Sequence, residues 1–423
     1  MNSIEKIFKS KLVSNGIWLF VLQVFNTVVP MVTLPYVTRV LGASGYGDFS
    51  LALNWILYFQ VLVEYGFGYW GARKVAVAGK EEIQDTFSQI FTARIFLAIL
   101  SFGTMVVVYL LSGKPTSHFV CMAILFCMVI GVAMQLTWLF QGMQNMKFIT
   151  IVNAISRLVS VVLIFIFVTR ENDVYLYCFL YTVTFLLSGI FGLVVAKRQY
   201  GVCIKICQFS SALKAIRESW PLFISQAMSK ILSGFGITVL GACATSSAIG
   251  IYSAVYKIPY TVILFFNPIS QALYPDISVQ FGISPKAGIE RVKKIARIIL
   301  PFFGMLEMIL ILANKPIVQL LFGTEYSASS TLLIPLTLWT LFSIVNNFLG
   351  IQILVGSEHQ KEYSNAFLIS AITSIILNIL MGKFAGTFGI AYATLLSEIV
   401  LTAILWYKVQ TVLKEKDNDK TTN

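Results

Sequence analysis

Charge is scarce in this chain. Only 12% of its 423 residues are Asp, Glu, Lys or Arg, about half of the ~25% that soluble domains carry. So few charges cannot solvate the surface of a 47.1 kDa globule, which excludes a soluble enzyme of several domains. Histidine is scarcer still, with only His118 and His359, so His-based catalysis or metal chemistry is not expected. Of the six cysteines, Cys121, Cys127, Cys178 and Cys243 lie in or at the edge of apolar runs, where Cys acts as a small hydrophobe. Cys203 and Cys207 sit in a basic loop with no His nearby, which is poor material for a metal site. No cofactor or metal is expected. The sequence also lacks a phosphate-cradling GxxxxGK[ST] loop, so ATP hydrolysis by this chain is not expected either. Paired outer-loop carboxylates and nucleophile–base constellations are missing as well, and the chain reads as a non-enzyme.

What is abundant is apolar surface. Hydrophobic residues make up 57% of the chain and aromatics 14%, with a mean hydropathy of +0.81. That is the opposite of a disordered composition. The apolar runs are continuous rather than alternating, which excludes a membrane β-barrel. They occur at 17–40, 49–71, 88–111, 118–140, 149–169, 174–197, 218–242, 249–274, 295–313, 331–354, 364–384 and 387–408, each long enough for a ~30 Å hydrocarbon core. The fold class expected is an all-α polytopic membrane protein of about twelve transmembrane helices. The first run holds Pro30 and Pro35, is too long for a signal peptide and is followed by no small-residue cleavage site. It is read as a span.

The loops set the orientation. With the N-terminus in the cytoplasm, 24 Lys and Arg fall inside and five outside (Arg39, Lys114, Arg170, Lys315, Lys383), leaving Lys230 and Lys257 within spans. This is the positive-inside bias. It accounts for the net charge of +12 without a nucleic-acid partner, and it places both termini in the cytoplasm. Trp70, Trp138, Trp220 and Trp406 lie at span ends, as an interfacial aromatic belt requires.

Two basic stretches, 198–217 and 275–294, are long and outside the spans. The first separates six helices from six. The expected organisation is an N-terminal lobe at 1–197, a cytoplasmic linker at 198–217 and a C-terminal lobe at 218–423 with a polar tail. An internal repeat supports two related halves: Leu41-Gly42-Ala43 then Gly47-Asp48-Phe49-Ser50, and Leu240-Gly241-Ala242 then Gly250-Ile251-Tyr252-Ser253. An even number of helices per half gives both lobes one orientation, as in transporters built from parallel repeats.

Ionisable residues inside spans are costly and are functional candidates by default. Lys230 and Lys257 lie about 16 Å and 12 Å from the outer ends of consecutive helices, a similar depth. Paired cations suit a diphosphate or another polyanion. The alternative is that each Lys snorkels or pairs with an acid such as Glu398, about 16 Å deep in the same half. Arg157, about 18 Å deep, is either a further interior cation or the partner of Glu64. Glu64 precedes Gly66, Gly68 and Gly71, a spacing that permits close helix packing. Glu307, about 9 Å from the outer face, is expected to snorkel, and so is Arg94 at the inner end of its helix. Glu64 and Glu398 are the candidate proton or sodium acceptors, since a carboxyl in low dielectric can cycle through its neutral form.

Residues 29–76 (VPMVTLPYVTRVLGASGYGDFSLALNWILYFQVLVEYGFGYWGARKVA) resemble the N-terminal signature of the O-antigen (Wzx-type) polysaccharide flippases. Three further stretches agree: WLFQGMQNMKFITIVNAISR (138–157), IGIYSAVYKIPY (249–260) with Pro275, and FGIAYATLLSE (388–398). The resemblance spans about residues 10–410. It implies the fold of the multidrug/oligosaccharidyl-lipid/polysaccharide exporter superfamily, two six-helix lobes around a central cavity (MATE-like). It also implies movement of undecaprenyl-diphosphate-linked repeat units across the bacterial inner membrane by alternating access. A polysaccharide polymerase and a chain-length regulator are the protein partners it implies. Arg39, Arg73, Arg157 and Glu398 sit in these motifs, and Lys257 takes the basic place in IYSAVYK. Arg39 and Arg73 are read as gate residues, and Lys230, Lys257 and Arg157 as the cations that meet substrate. Related lipid flippases carry charges on helix 1, where this chain has Gln23 and Asn26. Two other functions remain open: a cation-coupled drug exporter of the same superfamily and a membrane polysaccharide polymerase.

Overall fold

The structure, a computed structural model, describes residues 11–421, with side chains at 14–79 and 81–411. Lys6 and Lys9 of the charge count lie outside the described residues, as do the side chains of Lys11, Lys80, Lys414, Lys416 and Lys420. Ten helices among the described residues are long and apolar enough to cross a membrane. Two of them, Ser14–Ala76 and Gln360–Thr411, have 63 and 52 residues. At ~1.5 Å per residue they extend more than twice the ~30 Å core, so each holds two spans. Gly42 (φ 65°, ψ 176°) breaks the first and Gly386 (φ 54°, ψ −130°) the second. A side chain at either φ is strained, which is why the turns fall on glycine. The twelve expected spans are therefore present, and Gly42 is the glycine of the first Leu-Gly-Ala repeat.

In chain order the helices are α1 (Lys11–Glu64), α2 (Phe67–Ala76), α3 (Lys80–Ser112), α4 (Thr116–Met134), α5 (Thr137–Gly142), α6 (Met146–Phe167) and α7 (Val174–Tyr200). Then come α8 (Phe209–Cys243), α9 (Ser246–Ile283), α10 (Pro285–Leu312), α11 (Asn314–Phe322), α12 (Thr324–Ser327), α13 (Leu333–Asn346) and α14 (Gln360–Thr421). A π-helical segment, Asn347–Val355, prolongs α13.

Three sequence boundaries change. The 49–71 run does not form one helix: it ends at Glu64, and left-handed Tyr65 (φ 47°) and Gly66 (φ 74°) turn the chain into α2. The 198–217 stretch is irregular only over 201–208, because α8 begins at Phe209. The 275–294 stretch is almost wholly helical. Ser284 alone interrupts it, capping α10 by accepting from the Ala287 amide, with Pro285 at the first helical position.

The chain divides into two compact units, Met1–Gly234 and Phe235–Asn423. In the first, α4 and α7 pack closely through small residues. Gly131 lies against the Phe185–Leu186 backbone, and Gly189 against Met134, as close helix packing in lipid requires. Hydroxyls join neighbouring helices: Ser160 Oγ donates to the Leu180 carbonyl (2.6 Å), Thr150 Oγ1 to Trp18 (2.7 Å) and Tyr36 Oη to Val168 (2.7 Å). In the second unit an apolar core of Phe266, Ile277, Phe303, Phe348 and Leu405 joins α9, α10, the π segment and α14. Large apolar side chains such as Ile99, Leu110, Val162, Met305 and Leu380 are exposed, the surface a multi-pass membrane protein presents to lipid.

Candidate functional site

Arg157 sits at the midpoint of α6, ten residues from Phe167 and eleven from Met146, about 15 Å from either end. Its Nη1 donates to Asn26 Oδ1 (2.9 Å) and to the Asn26 carbonyl (3.5 Å) of α1. The alternative of a pair with Glu64 is not what the structure shows. Glu64 instead accepts from Gln60 Nε2 (3.0 Å) one turn earlier, and it lies within electrostatic reach of Arg94 and Lys230. The partner comes from helix 1, where the sequence offers an amide rather than a charge. A neutral amide leaves the guanidinium its full positive charge, with other N–H groups to offer an anion.

Arg94 departs most from expectation. It is 5% exposed and does not snorkel. Its Nη1 donates to the carbonyls of Val132 (3.4 Å), Ala133 (3.3 Å) and Gln135 (2.7 Å). They lie at the C-terminal end of α4, where the Val132 carbonyl also accepts from the Gln135 amide (3.1 Å), and a cation there meets the negative end of the helix dipole. Arg94 is thus a structural cap.

The short helix α2 carries Arg73 and Lys74 in its last turn, both exposed. Trp70 is buried rather than interfacial: its Nε1 donates to Glu218 Oε2 (3.0 Å), which also pairs with Lys74 Nζ (3.3 Å). Gly71 presses on Trp138, which is 1% exposed. The aromatic-belt expectation therefore fits Trp220 and Trp406, which are exposed, and not Trp70 or Trp138. Of the three glycines, Gly71 serves close packing and Gly66 the turn, while nothing packs within 4 Å of a Cβ at Gly68. Arg39 is exposed three residues before the Gly42 bend. Lys230 is half-buried on α8, in the first unit.

Lys257 belongs to the second unit, exposed on α9, with Nζ 5.9 Å from the Tyr260 ring centroid. Beside it runs an aromatic ladder. Tyr256 stacks on Tyr252 (6.0 Å), Tyr260 (5.6 Å) and Trp339 (5.2 Å). Trp339 and Ser343 of α13 in turn contact Glu398. Glu398 Oε1 accepts from Asn346 Nδ2 (3.0 Å), and its own carbonyl accepts from the same amide (3.1 Å). Glu398 is thus held by neutral donors, and pairing with a Lys is not its arrangement. Glu307 is also misplaced by the sequence. It is 1% exposed and accepts from Thr340 Oγ1 (2.7 Å) instead of reaching lipid headgroups.

Among the described residues no cluster of three or more His, Cys, Asp or Glu is arranged to hold a metal. The 201–208 segment with Cys203 and Cys207 is pinned to α3: Gln84 exchanges hydrogen bonds with the Cys203 backbone (2.8 and 2.9 Å), and the Cys207 amide donates to Thr92 Oγ1 (3.1 Å). Arg94 and Glu307 are charged residues that the sequence assigned to the wrong surroundings, as it did Trp70 and Trp138. The nearest signal for Glu307 is the pair Thr337 and Thr340, one turn apart in the otherwise apolar stretch 332–342.

The chain is similar to a putative O-antigen transporter of Escherichia coli (strain K12), 25% identical over 399 residues, covering 94% of this chain and 96% of that protein. Its fold is that of a lipid II flippase, MurJ, in an inward closed conformation, with a TM-score of 0.70 at 13% identity, over 94% of this chain and 87% of that one. A multidrug resistance MATE family transporter of the MOP superfamily, inward-facing, superposes with a TM-score of 0.69 at 11% identity, over 93% and 96%. The all-helical, MATE-like architecture is therefore established. The model of the polysaccharide biosynthesis protein family matches residues 12–280, more than half of the chain, and the chain belongs to that family.

Proposed function

We propose that this chain is a flippase that moves an undecaprenyl-diphosphate-linked oligosaccharide, an O-antigen or related repeat unit, from the cytoplasmic to the outer leaflet of the bacterial inner membrane. The observation that carries this reading is the end-to-end likeness to the putative O-antigen transporter, over 94% of this chain and 96% of that protein. The geometry supports it. An arginine stands at the midpoint of α6 with an amide, and no carboxylate, as its side-chain partner. That leaves a fixed positive charge where a diphosphate, very costly to place in hydrocarbon alone, needs charge-assisted contacts.

In this reading Arg157 and Lys230 of the first unit, and separately Lys257 of the second, meet the diphosphate in the course of transport. Tyr260, half-buried at the end of the ladder beside Lys257, offers an aromatic surface to a sugar ring. Arg39 and Arg73 act at gates. The lobes are assigned 1–197 and 218–423, joined by 198–217, with both termini cytoplasmic. Glu64 and Glu398 are candidate carboxyls for coupling to an ion gradient. The protein makes and breaks no covalent bond, and a polysaccharide polymerase and chain-length regulator act on what it delivers.

A second reading, an ion-coupled multidrug exporter, has one observation in its favour: the fold matches the multidrug transporter almost as well as the lipid II flippase. Deletion of the gene separates the two. A flippase predicts loss of surface polysaccharide, with lipid-linked units held on the cytoplasmic side and drug resistance unchanged. Lost drug resistance with normal surface polysaccharide contradicts it.

A further inference from the structure

Glu307 is enclosed where α10 meets α13, and the coupling candidates read from the sequence do not include it. Its Oε1 lies 2.7 Å from Thr340 Oγ1, while Oε2 has no hydrogen-bond partner and is out of contact with solvent. Thr340 Oγ1 also lies 2.8 Å from the Thr337 carbonyl. A hydroxyl has one proton to give, so Thr340 cannot donate to both oxygens at once.

The two protonation states of Glu307 resolve this differently. As an acid, Glu307 donates its proton to Thr340 Oγ1, Thr340 donates to the Thr337 carbonyl, and Oε2 remains a neutral carbonyl oxygen. As a carboxylate, Glu307 accepts the one hydrogen bond Thr340 can donate, and its other oxygen is left anionic and bare in an apolar enclosure, which is far more costly. Glu398 differs, because three neutral donors surround it.

The neighbourhood adds no compensating charge. Helix α10 packs against α9, α11, α13 and the π segment. The charged or titratable groups on α9 are Lys257, Asp276, Tyr252, Tyr256, Tyr260 and Tyr274, and on α11 Lys315; α13 and the π segment have none. Asp276 is paired with Arg291 (2.6 Å), and the side chain that bonds to Glu307 is the neutral Thr340. On α10 itself the nearest cation in sequence is Arg297, ten residues and about 15 Å away.

We infer that Glu307, positioned by Thr340, binds and releases a proton during the transport cycle. In one state the carboxylate takes one H⁺ from water to become the acid, and in another the acid returns that H⁺ to water, with no other bond changed. The inference rests on the flippase reading, but its first test does not. Infrared spectra of the purified full chain at neutral pH are expected to show the C=O band of a protonated carboxylic acid, shifted in D₂O. The band is lost in Glu307→Gln and displaced in Thr340→Val.

The second test is surface polysaccharide in cells whose own copy is deleted. Glu307→Gln is expected to reach normal membrane abundance and lose export, and Glu307→Asp to recover part of it. A wild-type spectrum that Glu307→Gln leaves unchanged overturns the proposal, as does normal export by that variant. If Glu307→Gln does not accumulate, Glu307→Asp and Thr340→Val decide, since a band that neither displaces overturns it equally. Wild-type protein that fails to restore polysaccharide overturns the flippase reading and the transport role together, while the band still reports the bound proton.

Discussion

In the first unit two of the charged side chains inside spans are arginines, Arg94 and Arg157, and their partners are backbone carbonyls and the Asn26 amide. In the second they are glutamates, Glu307 and Glu398, held by a threonine hydroxyl and by the Asn346 amide, Trp339 and Ser343. All four take their hydrogen bonds with neutral groups, although Glu64 lies within electrostatic reach of Arg94; the ion pairs Lys74–Glu218, Arg291–Asp276 and Lys408–Glu362 involve partly exposed side chains. The chemistry of the two sets differs. A guanidinium does not lose its proton in a protein, so the charge of Arg94 and Arg157 is permanent. A carboxyl can become neutral, so the second unit's interior charge is adjustable. Fixed cations suit an anionic cargo, and adjustable acids suit an exchangeable ion.

The strongest way to break this contrast is at Arg94. Arg94→Met removes a charged donor from three carbonyls at the end of α4 and is expected to cost on the order of 3 kcal/mol, read as a lowered unfolding temperature of the purified protein. An unchanged temperature refutes the cap. Next comes Glu398. Glu398→Ala strands its donors at a cost of about 2 kcal/mol, while Glu398→Gln keeps an accepting oxygen and costs under about 1 kcal/mol. Equal losses mean that charge, not hydrogen bonding, holds the second unit's acid, and the contrast fails there.

Arg157 sharpens the distinction between structure and transport. Its amide partner predicts a stability change of only about 1 kcal/mol for Arg157→Ala, together with lost surface polysaccharide and partial recovery by Arg157→Lys. A drop in stability as large as that of Arg94→Met makes Arg157 structural. The smallest effect is expected at the half-exposed Lys74–Glu218 pair, where Lys74→Ala costs under about 1 kcal/mol and less at high salt. A larger, salt-independent loss measured by the same unfolding experiment means that the pair is a principal tie between α2 and α8.

The spans were legible because hydrophobic length is a local property, and so was the first turn, since Leu-Gly-Ala put glycine where φ is positive. The break after Glu64 was not legible. It falls on Gly66 and on Tyr65, and a tyrosine gives no sign of a positive φ. The surroundings of the charged groups were hidden for a different reason. Arg94 finds carbonyls 38 to 41 residues away, which carry no side-chain signal. Thr340 is 33 residues from Glu307, Asn26 is 131 from Arg157, and Glu218 is 148 from Trp70. The cost of burying charge marks such residues as candidates, but only tertiary packing says whether each one caps a helix, holds a proton or faces a cargo.

The measurement closest to the central claim is translocation by the purified full chain in proteoliposomes containing a fluorescent polyprenyl-diphosphate-linked oligosaccharide. The inner-leaflet pool of this lipid is followed as it becomes accessible to a membrane-impermeant quencher outside. Accessibility is expected to rise in proportion to the protein added and to fall to the protein-free rate with Arg157→Ala. Wild-type vesicles no faster than protein-free ones contradict the flippase reading.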